Sequence, residues 1–458
     1  MNKKIIIIGT GIAGYGALEA IEELRIKNDV IFYNFGDEIK KKSIQYNIYP
    51  KFSMPKKTEF GYSLFSYKIK NSFLKLFYSK TSGGLSDFWS GSISTFSNEE
   101  LKLRKITFLK KYYDEFAKKI NVLGDNKKIK NFKNIQSNYP FPESEKYQKI
   151  NGKSYQDHKI NIQITNNKII CNKTNCTMCG ECFNGCPENI LFRPRIHFHN
   201  QIVINKKINK IKFDGKKWKI YNDDKLDNEC DILFLAMGTY QTISLLNNSK
   251  LINYKKVEIY DSSTFLFPIK HNNIIKNNRA YYGYANSLIT SKGKKDKKYD
   301  TQISIVPFNN FFTYRLFGKY LGKYLENFFN KNFSIGMFFS SKTQANVFSI
   351  NNKNNLKLKQ NNMSIAKKQL RKLIQIINKN FSFRILNLVI SNKSSIHYSS
   401  NLLNEKEDFF TRSEYKKNLF VIDGNIFPGK PIAQGNSYSI MCGSFAIVKN
   451  KLMMEHKN

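Results

Sequence analysis

The sequence lacks any uninterrupted apolar run of about 18 residues, which is the length that a membrane-spanning helix requires. We therefore expect no spanning helix. A composition of 41% apolar and 14% aromatic residues indicates a globular chain and argues against a disordered one. At 458 residues the chain is long enough for two domains with a sizeable core. No repeat with the period of a solenoid or a propeller is visible, which argues against those architectures.

Acidic residues are scarce: 35 Asp and Glu stand against 75 Lys and Arg, which gives a formal charge of +40. Such an excess is typical of proteins that bind nucleic acids or anionic membranes. The lysines are, however, spread along the chain among many Asn and Ile residues, and the run at 292–298 has the composition of a solvated loop. Because no recognition motif accompanies them, we predict no nucleic-acid partner.

Cysteine is also infrequent, and its distribution is uneven. Five of the seven cysteines lie between 171 and 186, which argues against a disulfide framework and favours metal ligation in a reducing compartment. We therefore expect a cytoplasmic protein. Four of the five follow the spacing C-x2-C-x2-C-x3-C-P, which is typical of bacterial iron–sulfur ligation. The predicted ligands are Cys176, Cys179, Cys182, Cys186 and Cys171.

Two interpretations of this cysteine loop remain open. Either it binds a [4Fe-4S] cluster that passes single electrons, or it is a structural knuckle that is empty or holds zinc. Zinc sites usually pair two C-x2-C units across a longer loop, which favours iron. The fourth ligand is open as well, because in two-cluster ferredoxins the last Cys of such a run serves the other cluster. The candidates are Cys186, Cys171, Cys230 and Cys442, of which the last two have the surroundings of core thiols.

The N-terminus has the pattern of a dinucleotide-binding fold. An apolar β-branched run at 5–8 predicts a buried strand, and a helical pattern follows it as far as Leu24. Between them, Gly9, Gly11 and Gly14 have the spacing G-x-G-x-x-G, which permits a tight turn and brings a pyrophosphate close to the helix N-terminus. Because glycines interrupt the apolar stretch and no cleavage site follows, we prefer this interpretation to a secretory signal.

The second predicted strand, 30–33, ends at Asn34, twenty residues after Gly14. An acidic side chain normally holds the ribose hydroxyls at this position. Asn34 can still hydrogen-bond a hydroxyl, but without charge. A later apolar strand ends in a small-residue turn at Gly238 and leads into a helix, which predicts a return of the chain to the same domain.

The C-terminal stretch 418–428, followed by 435–441, resembles the closing motif of the glucose–methanol–choline (GMC) oxidoreductases: a strand, an Asp-Gly turn, Phe-Pro, and an Asn that opens a helix. The N-terminal glycines, the glycine-rich loop at 81–91 and the strand end at 235–239 match the family in the same order. Larger members of the family carry cysteine runs that are similar to the one at 176–186.

The resemblance implies FAD as the cofactor, bound at the interface of two domains. It implies cofactor contacts at six positions: Asp423 and Gly424 on the ribityl–pyrophosphate part, Gly83, Gly84 and Ser86 near the flavin ring, and Ser437 at the start of a helix whose positive end meets the flavin.

The family also places a histidine, with a second His or an Asn, over the flavin. Here the resemblance implies His397 and Asn436 as this catalytic pair. A histidine with a pKa near neutrality can accept the hydroxyl proton of an alcohol while hydride leaves the same carbon. Asn436 can hold the substrate oxygen from the other side. The alternative is that His397 is a surface or packing residue.

These patterns predict an α/β fold, with an FAD/NAD(P)-binding Rossmann-like domain and a mixed α+β, antiparallel-sheet substrate domain. Alternating segments near 194–206 and 208–221 predict antiparallel strands, and helical patterns occur at 311–329 and 364–379. The predicted domains are 1–100 with 165–256 and 401–458 for a discontinuous FAD-binding domain that contains the ferredoxin-like cysteine loop 171–187, 257–400 for the substrate domain, and 101–164 for a helical surface excursion.

The predicted activity is oxidation of a CH–OH group, such as that of a sugar or polyol, with electrons leaving through the [4Fe-4S] cluster to a one-electron carrier such as a ferredoxin. Two alternatives stay open: a flavin and iron–sulfur reductase that acts on a C=C bond or an electron carrier, and a non-catalytic electron-transfer module. The amphipathic segment 311–329 is a candidate for peripheral contact with the inner membrane face, although such a stripe more often packs on a core.

Overall fold

The computed structural model describes residues 3–26, 29–35, 64–70, 72, 74–79, 82–88, 92–120, 122–123, 152–166, 169–170, 192–271, 287–295, 300–308, 313, 317–387, 391–431 and 436–457. The strands, numbered along the chain, are β1 (Ile5–Ile8), β2 (Val30–Asn34), β3 (Leu64–Lys70), β4 (Lys75–Ser79), β5 (Val122–Leu123), β6 (Ser154–Gln156), β7 (Ile160–Asn166), β8 (Ile169–Ile170), β9 (Ile202–Asn205), β10 (Lys210–Phe213), β11 (Trp218–Asn222), β12 (Lys225–Cys230), β13 (Ile232–Leu235), β14 (Glu258–His271), β15 (Ser287–Gly293), β16 (Thr301–Pro307), β17 (Phe333–Phe339), β18 (Asn346–Ile350), β19 (Leu356–Gln360), β20 (Phe383–Ile385), β21 (Ser391–Ser400), β22 (Glu414–Lys416) and β23 (Leu419–Val421). The helices are α1 (Ile12–Glu23), α2 (Asn98–Leu103), α3 (Leu109–Lys119), α4 (Thr239–Asn248), α5 (Lys319–Asn332), α6 (Met363–Asn380), α7 (Phe409–Ser413) and α8 (Ser437–Lys457).

The first sheet has the strand order β22-β23-β13-β1-β2-β9 and is parallel except for the pair of β22 and β23. Its central strand, β1, consists of four buried isoleucines, as expected for a strand that is covered on both faces. From β1 the chain winds outward to β2 and β9, and it then returns to β13 on the other side. This doubly wound order is that of a Rossmann-like domain, as the sequence predicts.

Helices α1 and α8, from opposite ends of the chain, pack closely against each other beside this sheet. The Ser444 hydroxyl on α8 donates a 2.5 Å hydrogen bond to the carbonyl oxygen of Ala13 on α1. A Cβ atom on Gly16 would overlap the carbonyl oxygen of Met441, so the glycine permits the close approach. The two ends of the chain therefore share one core.

An antiparallel meander, β10-β11-β12, adds to the same core through the buried Trp218, whose indole N–H donates to the carbonyl oxygen of Lys417 at 2.9 Å. The sequence predicts antiparallel strands here, which is correct for 210–222. It is wrong for β9, because Ile202 pairs in parallel with Ile31 of β2. The preceding residues 194–197 form a 3-10 turn.

The second sheet is a larger, mostly antiparallel sheet centred on the 14-residue strand β14. One edge of β14 pairs with β18 and β17, and the other with β21 and β20. Alternate side chains of β14 (Phe265, Phe267 and Ile269) form a second core with the apolar face of α6, which includes Leu370 and Ile374. The predicted helix at 364–379 is thus observed as α6, and that at 311–329 as α5, whose described turns begin at 319.

Two chain segments that precede the predicted substrate domain also pair with the second sheet. The hairpin β3–β4 joins it through β19, and β6–β7 joins it through β15. Helix α3 packs instead on α8, where the Tyr113 and Ser439 hydroxyls lie 2.6 Å apart. The domain boundaries drawn from the sequence stay a prediction.

Candidate functional site

A cleft of about 290 Å³ opens at the carboxyl ends of β1 and β13, where the winding of the first sheet reverses. Ligands of doubly wound sheets bind at this kind of position. The cleft is lined by the β1–α1 loop, the end of β2, the hairpin β3–β4, the turn at 82–88, the segment 206–209 after β9, the β13–α4 turn with part of α4, the end of β21, the loop after β23 and the start of α8. The second sheet contributes His397 and Tyr398 to its wall.

The cleft brings together residues that are more than 400 positions apart in the sequence. Those named from the sequence that line it are Gly9, Gly11, Asn34, Gly83, Gly84, Ser86, Gly238, His397, Asp423, Gly424, Asn436 and Ser437. Gly14 lies behind the lining, against the turn. The functional roles assigned to these residues stay predictions, but the expectation of one shared site for the opening glycines and the closing Asp-Gly turn agrees with this geometry.

Two of the opening glycines are required by close backbone contacts. Gly9 has a φ of +119°, and a Cβ there would overlap the carbonyl oxygen of Ala236 at the end of β13. A Cβ on Gly14 would overlap the carbonyl oxygen of Gly9, so Gly14 lets α1 begin directly above the turn. The glycine pattern is therefore explained by packing as well as by ligand approach.

Three helix N-termini meet at the cleft. The residues that precede α1, α4 and α8 are Gly11, Gly238 and Asn436, and all three line it. The carbonyl oxygen of Asn436 accepts the first hydrogen bond of α8, from the Ile440 N–H, at 2.8 Å. Helix N-termini carry unpaired N–H groups and partial positive charge, so this arrangement suits a pyrophosphate without any charged side chain.

Asp423 is buried, and its carboxylate binds donors of the protein itself. One oxygen accepts from the Gly238 N–H at 3.1 Å and from the Thr242 hydroxyl. The other accepts from the backbone and side-chain N–H groups of Asn425, at 3.1 and 2.7 Å. Burial raises the pKa of Asp423, and the four hydrogen bonds oppose that shift. The side chain thus fixes the β13–α4 turn to the loop after β23. Because its carboxylate is occupied in this way, the groups of these loops that remain for a ligand are those of the backbone.

The turn at 82–88 is fixed to the first glycine loop and to a buried arginine. The Gly83 N–H donates to the Thr10 hydroxyl at 3.4 Å, and the Ser86 hydroxyl donates to the Gly83 carbonyl. Arg193, which is 1% exposed, donates to the Ser86 carbonyl at 3.1 Å. Neither Thr10 nor Arg193 can be recognised from the sequence, because no local pattern distinguishes a residue that supports a distant turn.

Asn34 lies at the end of β2, as predicted, and its amide donates to the Asn205 side-chain oxygen at 3.1 Å. Asn205 comes from β9, the neighbouring parallel strand. Beside them, the Tyr33 hydroxyl and Lys206 both donate to Asp227, each at 2.5 Å. This end of the cleft is therefore bordered by amides and by a lysine that is already ion-paired. Asn205 cannot be recognised from the sequence, because the pairing of β2 with β9 joins residues far apart in the chain.

His397 lies on β21 and lines the cleft, with its ring stacked on Phe339 of β17 at 5.4 Å between centroids and 8° between planes. Burial lowers the pKa of His397 to about 4. The imidazole is therefore neutral at physiological pH. The next residue, Tyr398, accepts a hydrogen bond at its hydroxyl from the Phe77 N–H at 2.7 Å, which ties β21 to β4, the edge strand of the same sheet.

The predicted metal ligands Cys171, Cys176, Cys179, Cys182 and Cys186 lie outside the described residues. Within the part of the chain that the structure describes, no group of three or more His, Cys, Asp or Glu side chains could hold a metal ion. The other two cysteines, Cys230 and Cys442, are buried in the first core, which confirms them as core thiols. Burial raises the pKa of the Cys230 thiol to about 12.

No family model and no curated protein matches the sequence, but solved structures share its fold. Pyridoxine 4-oxidase from Mesorbium loti superposes with a TM-score of 0.63 at 11% sequence identity, over 99% of each chain. An FAD-dependent oxidoreductase from Chaetomium thermophilum gives 0.60 at 12% identity over 100% of each chain. Formate oxidase of Aspergillus oryzae RIB40 gives 0.61 at 11% identity, over 99% of this chain and 98% of the other.

At these identities the likeness shows a common fold, and it confirms the predicted α/β class with a Rossmann-like domain. The match extends over the full length of the described architecture, including the second sheet. Among the described helices, none is both long and apolar enough to cross a membrane.

Proposed function

We propose that the protein is an FAD-dependent oxidoreductase of the GMC type that oxidises the CH–OH group of an alcohol. The observation that carries this proposal is the cleft, where the glycine turn of β1 and the candidate pair His397 and Asn436 line one cavity in a fold shared with an FAD-dependent oxidoreductase. A fungal aryl-alcohol oxidase with this fold acts on an alcohol by name. The substrate proposed here is a sugar or other polyol.

The residues present fit FAD. The N–H groups at the starts of α1, α4 and α8 would hold the pyrophosphate, and Gly9 leaves room for its close approach. The amide of Asn34, which Asn205 holds in place, would hold the ribose hydroxyls, and the turn at 82–88 would lie beside the flavin. When bound, FAD supplies an acceptor for the hydride that leaves the alcohol carbon.

His397 and Asn436 perform the remaining chemistry. The neutral imidazole of His397 accepts the proton of the substrate hydroxyl, which a charged imidazolium could not do. The side-chain amide of Asn436 donates to the same oxygen and opposes its rotation away from the base. Asn436 is itself fixed, because its carbonyl starts the hydrogen-bond ladder of α8.

Substitution of the base tests this assignment. We expect His397→Gln to lower the rate of flavin bleaching by alcohols about 10²- to 10⁴-fold while the protein keeps its flavin spectrum. His199→Gln is the matched control, since His199 is exposed and does not line the cleft. Retained bleaching in His397→Gln would remove the base, and a purified chain without any flavin would remove the whole proposal.

For the route by which electrons leave, we propose a [4Fe-4S] cluster in the cysteine loop and a one-electron carrier such as a ferredoxin. The support is the cysteine spacing alone. Anaerobically purified protein should then contain about four irons and as many sulfides per chain, and Cys179→Ser should lose both. Flavin without iron would indicate a direct oxidase or a flavin-only dehydrogenase.

A further inference from the structure

Helix α5 exposes a cluster of large apolar side chains. Tyr320, Leu321, Tyr324 and Phe328 are 74%, 53%, 84% and 55% exposed. The other exposed large apolar side chains of the described residues occur singly on separate elements, apart from the neighbours Met453 and Met454 on α8, as is normal on protein surfaces. A contiguous group is different, because such patches mark surfaces that bind something.

The opposite side of α5 anchors the helix to the protein. Phe329 stacks on Phe308 at 4.8 Å and on Phe317 at 4.9 Å, and Gly322 and Asn330 are buried. The helix is therefore fixed by one side. Tyr320, Tyr324 and Phe328 follow one another at four-residue intervals, so they form a single ridge about 12 Å long on the outward side.

Helix α5, which carries this ridge, packs on the same face of the second sheet as His397. Phe329 of α5 contacts Phe333 at 5.6 Å, and His397 stacks on Phe339. Phe333 and Phe339 are six residues apart on β17, whose register is continuous. Residues that are an even number of positions apart on a strand lie on the same face of the sheet. Helix α5 and His397 therefore contact the same face of the second sheet, at points about 20 Å apart along β17. Helix α6 packs on the other face, where Phe338 and Phe265 meet its core.

The charge of the helix complements an anionic surface. The segment 319–332 contains three lysines and one glutamate, in a chain of net charge +40. Lys323 is exposed at the flank of the ridge, one residue before Tyr324, and it makes no ion pair within the described part of the chain. Aromatic rings with adjacent lysines are the composition of helices that lie at the interface of an anionic bilayer.

We propose that the outward face of α5 rests on an anionic lipid bilayer. Tyr320, Tyr324 and Phe328 lie at the boundary of headgroups and acyl chains, and Lys323 binds lipid phosphates. A second copy of the chain is a poorer occupant, because four side chains form a small patch whereas a stable interface buries about 800 Å² per partner. The further link, that the bilayer presents a lipid-linked sugar or polyol to the cleft, rests on the proposed function, whereas the docking does not.

Sedimentation of the full-length holoprotein with vesicles tests the docking directly. We expect binding to vesicles of phosphatidylcholine mixed with phosphatidylglycerol, and about tenfold weaker binding for the double variant Tyr324→Ser/Phe328→Ser. Lys323→Glu should weaken vesicle binding more at low salt than at high salt. At high salt the attraction between Lys323 and the lipid phosphates is already screened, so less of it is left to lose. Both experiments need no substrate, so their outcome is independent of the alcohol oxidation.

The matched control is Leu226→Ser/Ile365→Ser, which removes two apolar side chains of comparable exposure, 55% and 50%, from other elements. These variants should bind the vesicles as the unmodified protein does. Equal loss in control and test variants, or no sedimentation of the unmodified protein, would overturn the proposal. So would a concentration-dependent dimer, seen by analytical ultracentrifugation, that Tyr324→Ser/Phe328→Ser abolishes. Unchanged flavin content shows that the variants are folded.

Discussion

A single histidine illustrates how burial changes chemistry at the residue scale. His397 contacts an aromatic ring and lines a cleft, and burial alone lowers its pKa to about 4. A histidine in water has a pKa near 6.5 and would be half protonated at slightly acidic pH. The two interpretations of His397, as a packing residue and as a base, are therefore compatible, since the same packing keeps the ring neutral, as a base must be.

This shift has a consequence for stability that can be measured. Between pH 6.5 and 4 the unfolded chain binds a proton at His397 that the folded chain does not bind, so folding is weakened as the pH falls through this window. From pH 7 to pH 5 the cost is at most about 2 kcal/mol. We expect the unmodified protein to lose that much more stability than His397→Gln in urea unfolding at the two pH values. Equal losses would show that the imidazole titrates normally.

Asp423 shows that the role of a side chain can depend on residues far away in the sequence. The resemblance implies a cofactor contact at the Asp-Gly turn, and the turn lines the cleft. The carboxylate, however, is occupied by Gly238, Thr242 and Asn425. Sequence alone could not show this, because Thr242 is one of many threonines and only the fold places it beside residue 423. Asp423 is thus best described as a positioning residue of the turn.

At the scale of elements, local sequence patterns predicted the strands, turns and helices that local interactions determine. The run of isoleucines in β1, the glycine turn and the period of α6 are encoded within a few residues, and the structure has them where expected. The strand with which each strand pairs is determined by residues in distant parts of the chain. The parallel pairing of β9 with β2 and the addition of the hairpin β3–β4 to the second sheet depend on residues more than 150 positions apart. No alternation of apolar residues could reveal them.

The packing of α1 on α8 provides a test at this scale. A Cβ on Gly16 would overlap the rigid backbone carbonyl of Met441, so the helices must separate to admit it. We expect Gly16→Ala to destabilise the protein by about 1–3 kcal/mol and to weaken flavin retention, because both helix N-termini border the cleft. The measurement is urea unfolding with flavin release followed by fluorescence.

Gly443→Ala on α8 is the matched control. There the added Cβ would lie 2.7 Å from Cδ1 of Ile426, the end of a flexible side chain, which can move aside. Its cost should be clearly smaller than that of Gly16→Ala. If the two substitutions cost the same, close backbone approach of the helices is not what the glycine provides.

At the scale of the whole molecule, the chain forms two hydrophobic cores with the cleft between them. The first core joins the two ends of the chain, and the second surrounds β14 and α6. Composition and length predicted two such units, and motif order predicted that both ends belong to the first. The cysteine loop is the feature of the sequence that lies outside the described residues, so its chemistry depends on direct iron analysis.

Because one cleft is bordered by both cores, FAD should couple their unfolding. A ligand that binds only the folded state stabilises it by about 2.7 kcal/mol at one hundred times its dissociation constant. The first sheet supplies the glycine turn, and the second supplies His397 and Tyr398, so loss of either core dismantles the site. We expect calorimetry of the holoprotein to show one transition. Removal of the flavin should lower its midpoint and separate the unfolding of the two cores, whereas an apoprotein with the same midpoint would show that no flavin binds in the cleft.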